Sequence, residues 1–244
     1  MTTFADRFGF PVACRVNQRI AKTLFGESGS LTTADKRILS KDVEEVRCLY
    51  VMDRDGTQIV PVVEAERDYS CLAVIGVTLR TAAHADRIDE LCHRAMPYPL
   101  FVVMEDEAGL LRFSMAEKRI SHDGREGTVL EHKVSTVWLD AASCEPFIQA
   151  SQFPDAARRD FRDVYGWYME RLEALNAAHV TGVFKLGSDP VQRRANLASI
   201  HELEGRLAAL RRQVRRDTPI AELVDLNMKI KSLEREREAL AAKL

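Results

Sequence analysis

Hard divalent cations take several carboxylate oxygens, so Asp53, Asp55, Glu64 and Glu66, close together in the chain, are the first residues that could do chemistry. A local reading competes with a magnesium site. Asp53-Arg54-Asp55-Gly56 contains Asp-Gly, the dipeptide that closes hairpins because Gly takes positive φ at little cost, and the turn reading is preferred. A restriction-type nuclease needs an acid on one strand and an acid-x-Lys triplet on the next, the carboxylates holding metal while Lys orients water or phosphate. The nearest approach is Glu117-Lys118, which lacks the spacer and reads as a strand-end salt pair. The six histidines (His84, His93, His122, His132, His179, His201) are scattered. His84 and His93 share one expected helix but are nine apart, which points them in different directions. The five cysteines (Cys14, Cys48, Cys71, Cys92, Cys144) form no CxxC pair and read as small buried hydrophobes rather than zinc ligands or disulfides. There is no glycine-rich phosphate loop and no nucleophile elbow. No catalytic residue, metal ligand or cofactor is assigned on this basis.

The elements that must position any site begin with Leu72–Glu105, which reads as strand, helix, strand. Leu72–Leu79 (LAVIGVTL) and Pro99–Met104 (PLFVVM) carry no charge, as strands covered on both faces do. Between them Thr81 can cap a helix with Ala85, Ile88, Leu91, Cys92 and Ala95 at helical spacing, and Pro97 stops it after Met96. A crossover of that length allows the two strands to run parallel. Upstream, short helices are expected at Val16–Leu24 and Thr33–Leu39, the latter capped by Thr32 or Thr33, with a turn at Gly26–Gly29. Val43–Met52 (VEEVRCLYVM) reads as a strand returning through Asp53–Gly56 into Thr57–Val63, where Pro61 implies an edge or a bulge. Leu110–Met115 and Val129–Leu139 complete a mixed sheet of about five or six strands.

The second half is helical. Pro154 and Asp155 open a long helix with Phe161, Val164, Tyr165, Tyr168, Leu172 and Leu175 in one stripe, ending near Gly182; the aromatics could stack bases but read as packing on the sheet. After the linker Gly182–Ser188, Asp189 caps and Pro190 opens a helix with Ile200, Leu203, Leu207, Leu210 and Val214 at alternating spacings of three and four. Thr218 and Pro219 restart the pattern, which continues through Leu223, Leu226, Ile230, Leu233, Leu240 and Leu244. The fold class is therefore α+β: a mixed β-sheet domain with a crossover helix, then a long helix and a C-terminal antiparallel coiled-coil hairpin. Domain boundaries are expected at 1–181 and 189–244. The seam residues Leu203, Leu207, Leu210, Leu226, Ile230 and Leu233 are the candidate partner surface, since two narrow seams leave apolar flank exposed.

Composition narrows the classes. With 244 residues, 46% apolar and 30% charged, the chain can bury a sizeable core. No apolar run approaches the roughly 20 residues of a bilayer helix, and MTTFADRFGF lacks the features of a secretory signal, so a cytoplasmic protein with no membrane partner is expected. The net charge of −2 hides 12 Lys and Arg against 9 Asp and Glu from Asp189 onward. Arg211, Arg212, Arg215 and Arg216 cluster at the hairpin tip, where they read as a solvated face or as a contact to DNA or a partner.

RAMPYPLFVV (Arg94–Val103), the strand VRCLYVM before it, Lys118 after the next hairpin strand, and VDLNMKIKSLE (Val224–Glu234) resemble the bacterial family named as domain of unknown function 4391. The resemblance implies an α+β domain with a helical C-terminus, in proteins often encoded beside helicases and DNA methyltransferases in defence islands. Three functions stay open. The leading expectation is a non-catalytic accessory or scaffold subunit of a DNA-processing, anti-phage complex, with a helicase or methyltransferase as protein partner. The others are a metal-dependent nuclease with an atypical carboxylate site and a homodimer that binds nucleic acid.

Overall fold

The structure, a computed structural model, describes residues 2–27, 31–120, 128–156, 159–214 and 219–244. In chain order its elements are α1 (Thr2–Ala5), β1 (Arg15–Arg19), α2 (Leu24–Glu27), α3 (Thr33–Asp42), β2 (Val43–Met52), α4 (Arg54–Thr57), β3 (Val62–Val63), β4 (Asp68–Tyr69) and β5 (Leu72–Leu79). There follow α5 (Ala85–Ala95), β6 (Leu100–Glu105), β7 (Leu111–Ile120), β8 (Thr128–Ser135), α6 (Glu145–Ala150), α7 (Phe161–Thr181), α8 (Pro190–Gln213) and α9 (Ile220–Ala241). The chain divides into two compact units, 1–172 and 173–244.

The first unit is a mixed α+β domain. Its six-stranded sheet has the order β1-β2-β5-β6-β7-β8, and β3 and β4 make a separate two-stranded ribbon. Strands β5 and β6 run parallel, with Ala73 opposite Leu100 and Val77 opposite Met104, and α5 is the crossover that parallel pairing requires. The remaining pairs in the sheet are antiparallel. Because side chains alternate across a strand, each central strand feeds two cores. Ala73, Ile75, Val77 and Leu79 of β5 with Leu100, Val102 and Met104 of β6 pack against Ile88, Leu91 and Cys92 of α5 and Leu39 of α3. On the alternate positions Phe101 stacks on Phe113 and on Tyr168 of α7, and Phe8 and Phe147 close edge-on against Phe101. The aromatic stripe of α7 is thus core, as its spacing predicted. At the centre Gly76 lets β2 approach, since a Cβ there would stand 3.0 Å from Leu49 Cδ1.

Helix α3 carries the expected cap as a full capping box: Thr32 Oγ1 accepts from Asp35 N, and Asp35 Oδ2 accepts from Thr32 N. Asp35 also accepts two bonds from Arg87 of α5, at 2.7 and 2.9 Å, and Asp42 meets His84 Nδ1 at 2.6 Å. These ties fix the start of the crossover helix against α3.

Several local expectations are corrected. Arg15–Arg19 overlaps the segment expected to be helical, Val16–Leu24, but is an edge strand, exposed at all five positions, and Arg47 bonds the carbonyl and side chain of Asn17. Segment Thr57–Val63 does not return along β2. Asp53 accepts from Gly56 N and closes the helical turn α4, while the two edges of β2 are taken by β1 and β5. Helix α5 begins at Ala85, so Thr81 lies ahead of it and only meets Ala83 N at 3.4 Å. The long helix begins at Phe161; Phe153–Asp155 is a separate 3-10 turn.

In the second unit Asp189 caps α8 by accepting from Val191 N, with Pro190 as first helical residue. Leu203, Leu207 and Leu233 form a buried cluster, with Leu210, Ile230 and Leu240 half-buried against it. Ser188 Oγ, just ahead of α8, donates to Leu244 O beyond α9, which sets the beginning of one helix beside the end of the other.

Candidate functional site

The row Arg112, Ser114, Ala116 and Lys118 occupies alternate positions of β7, and three of its polar side chains reach toward the crossover segment. Arg112 pairs with Asp86, Ser114 with Asp89 and His93, and Lys118 with the carbonyls of Met96 and Tyr98. Lys133 and Ser135, two apart on β8, join the same centre. Asp89 and His93 are four apart on α5, hence one turn above each other on the face turned to the sheet.

Asp89 organises this centre with no exposed surface. Its Oδ1 accepts from the Ser114 hydroxyl, and its Oδ2 accepts from Lys133 Nζ at 2.9 Å and Ser135 Oγ at 2.6 Å. His93, also fully buried, has Nε2 2.9 Å from Ser114 Oγ and 3.4 Å from Asp89 Oδ1. Burial opposes the Asp89 carboxylate, but the neighbouring His93 and Lys133 outweigh it and hold the carboxyl below the usual carboxylate range. Burial pushes His93 down from 6.5 to about 4 against the pull of Asp89, with Lys118 and Lys133 adding to the fall. At neutral pH the pair is therefore carboxylate and neutral imidazole. Since the Ser114 proton goes to Asp89, the Ser114 oxygen accepts from a protonated Nε2, which leaves Nδ1 bare; Nδ1 has no partner among the described residues.

This arrangement is not a nucleophilic triad, although Ser, His and Asp are all present. A triad needs the imidazole between hydroxyl and carboxylate, one ring nitrogen to each, and a hydroxyl open to substrate. Here one nitrogen faces both partners, the hydroxyl bonds the carboxylate directly, and all three side chains are buried. What the geometry does is bind: a buried carboxylate receives three side-chain donors and pins α5 to two strands.

Lys118 lies toward the other end of the row. Its amine donates to Met96 O at 3.0 Å and Tyr98 O at 2.9 Å, beside Pro97 and Pro99, which line a small pocket together with Asp68, Tyr69, Ala116 and Tyr165. The expected pairing of Lys118 with Glu117 is replaced by these two carbonyls, because neighbouring strand residues point to opposite faces. Tyr165 fixes the back of the pocket: its hydroxyl accepts from Ala116 N and donates to Ala116 O, both at 2.8 Å.

The residues singled out in the sequence lie elsewhere. Of the four acids, Asp53 is spent on capping α4 and Glu64 pairs with Arg162 at 2.8 Å; among the described residues no three His, Cys, Asp or Glu side chains gather as a metal-ligand set. The five cysteines are free thiols. Arg211 pairs with Glu234 at 2.8 Å and Arg212 donates to Ala208 O, both on exposed surface. Arg215 and Arg216 lie outside the described residues, as do His122 and Thr218. Of the seam, Leu203, Leu207, Leu210, Ile230 and Leu233 come together, and Leu226 is buried. The signal that could have found the real centre was an acid and a histidine one helical turn apart within the apolar pattern of α5. Polar residues on alternate positions of β7 and β8 were its counterpart.

Fold and centre together define a mixed α+β domain built around a sealed polar junction and followed by paired helices. The chain belongs to the family described as Domain of unknown function (DUF4391), which matches residues 8–236 of its 244. No curated protein and no solved structure matches it significantly. No helix among the described residues is long and apolar enough to cross a membrane.

Proposed function

We propose that this chain is a non-catalytic accessory or scaffold subunit whose C-terminal helices, as an antiparallel coiled-coil hairpin, join it to a protein partner. The observation that carries the reading is the helix pair itself. Helices of 24 and 22 residues share a small cluster of buried leucines, Leu203, Leu207 and Leu233, while Val224 and Met228 of α9 stand exposed. An isolated two-helix pair buries too little apolar surface to offset the ordering of its chain, so a third surface completes it. The sealed junction adds support, since the densest polar constellation of the first unit is engaged in holding elements together. A bacterial DNA-processing complex, with a helicase or methyltransferase as partner in anti-phage defence, is the setting the family resemblance favours.

Purification of the tagged chain from its native host, with and without residues 188–244, tests this. The full chain should bring down a stoichiometric partner, and the truncated chain should lose it. If the truncated chain keeps its partner at full occupancy, the helices are not the contact. A homodimer lost on truncation, with no foreign protein retained, would give the surface to a second copy instead.

A further inference from the structure

The C-terminal end of α3 gathers cations from separate stretches of the chain. Lys22, just beyond β1, and Arg80, just beyond β5, both donate to Val43 O, and Nη1 of Arg80 also reaches Ser40 O at 3.1 Å and Lys41 O at 3.4 Å. Two donors on one oxygen stand no more than about 6 Å apart. Burial first, and then the charges of Arg80 and Arg19, hold the Lys22 amine below the usual lysine range against the pull of Glu44. A helix end attracts cations, but its dipole is worth only about half a charge. Glu45 is shared by Arg47 at 2.8 Å and Arg19 at 3.8 Å. With Lys41 in the same turn, Glu44 and the helix end leave an excess of roughly two positive charges. Neither Lys22 nor Arg80 has a carboxylate partner among the described residues. There Lys22 keeps two hydrogens unengaged, and Arg80 keeps its Nε and Nη2 donors.

We propose that Lys22, Arg80 and Arg19 form a binding site for a phosphate dianion, either inorganic phosphate or the terminal group of a phosphomonoester. Charge decides the ligand class. A phosphomonoester carries about −1.5 to −2 at neutral pH, which matches the excess, whereas a carboxylate or a single phosphodiester brings one charge. Geometry fits as well. The Nε and Nη2 hydrogens of an arginine form one edge of its planar fork, so the carbonyls that hold Nη1 leave Arg80 its bidentate edge for two phosphate oxygens, and a third can accept from Lys22. Backbone carbonyls already hold both cationic heads, so little side-chain ordering is lost on binding. Arg19, 68% exposed, adds a third charge. The site lies within the first unit and does not rest on the assembly reading, which concerns α8 and α9.

Isothermal titration of the full chain with sodium phosphate near pH 7.5, where phosphate is mostly dianion, tests this against sodium chloride of equal ionic strength. Saturable binding of one phosphate is expected, with no counterpart in chloride. Lys22→Met leaves Val43 O its bond from Arg80 and should weaken phosphate binding at least about tenfold, the loss of one charge-assisted hydrogen bond. Arg19→Gln should weaken it about threefold, as an exposed charge does, and Lys231→Met in the second unit should change nothing. Arg19 is exposed, so its variant keeps the test in force should Lys22→Met fail to fold; Arg80 is left in place because it also closes the end of α3. Adenosine 5′-monophosphate and O-phosphoserine, as competitors of phosphate, separate a nucleotide source from a phosphoprotein one: whichever binds tighter than phosphate names it, and neither doing so leaves phosphate itself as the ligand. No saturable phosphate binding up to about 10 mM, or equal affinity in the parent and both variants, would overturn the proposal. So would Lys22-dependent binding of a DNA duplex without terminal phosphates by a chain that ignores free phosphate, since the patch would then follow a nucleic-acid backbone.

Discussion

At the scale of the residue, Asp89 is a buried charge whose partners cannot be removed singly. Asp89→Asn keeps the shape but removes the charge facing Lys133 and offers amide hydrogens where Ser114 and Ser135 also donate. Breaking a buried ion pair from one side typically destabilises by about 3–5 kcal/mol, and a urea titration of this variant should show a loss in that range. His93 makes a pH-dependent statement. The folded chain holds it neutral down to about 4, whereas the unfolded chain protonates near 6.5. Between those values the unfolded state binds the extra proton, so stability falls as pH is lowered through this window, by up to roughly 3 kcal/mol. The depressed carboxyl of Asp89 continues the loss at still lower pH, since it too must take a proton that the unfolded chain takes more readily. In His93→Leu, unfolding midpoints at pH 7.5 and 5 should converge relative to the parent; an unchanged difference would place the acid sensitivity elsewhere. This centre was half legible in the sequence. Spacing showed that His84 and His93 face different ways, which is so, but only Asp89, at the matching helical interval, would have shown what His93 faces.

At the scale of the element, the strands and helix of Leu72–Glu105 were legible because uninterrupted apolar runs and a bounded amphipathic stretch admit few alternatives. The partner of β2 was not. Asp-Gly suggested a tight return, yet β5, apolar on both faces, buries far more surface against β2 than the Pro61 segment could. Burial over a long sequence separation overrode the local turn signal. Likewise β1 carries no apolar alternation, its five residues being exposed, and exists because the edge of β2 offers backbone partners. The closeness of β2 and β5 is testable at Gly76. Gly76→Ala puts a methyl 3.0 Å from Leu49 Cδ1 in a filled core, and overpacking of this kind typically destabilises by about 1–3 kcal/mol. Leu49→Ala should then cost less in this background than in the parent, measured by denaturant midpoint, since the added methyl fills part of the space it leaves.

At the scale of the whole molecule, the two units should respond separately to substitutions in the second. Leu207→Asp combined with Ile230→Asp puts two charges into the leucine cluster, and burying unpaired charge there is prohibitive. Circular dichroism should lose the helical signal of α8 and α9, while near-ultraviolet bands from the aromatic core around Phe101 and Tyr168 persist. Undiminished helicity would show that these helices do not depend on their shared leucines. The periodicity of both helices and the Asp189-Pro190 start were legible because helix signals are local. Which apolar residues stay exposed, Val224 and Met228 among them, was not, because that depends on how the two helices are turned toward each other.

The sealed junction also limits how this protein can change over time. Asp89, His93, Ser114, Lys133 and Ser135 sit on three different elements, and each is the right residue only while the others are present. An apolar replacement would have to arrive at several of these positions together, because every intermediate strands a buried donor or charge. Mutational energies within the set should therefore be far from additive, with paired substitutions harming less than the sum of single ones. The residues under α5 should thus tolerate replacement only as a set, whereas the outward face of the helix is under no such constraint.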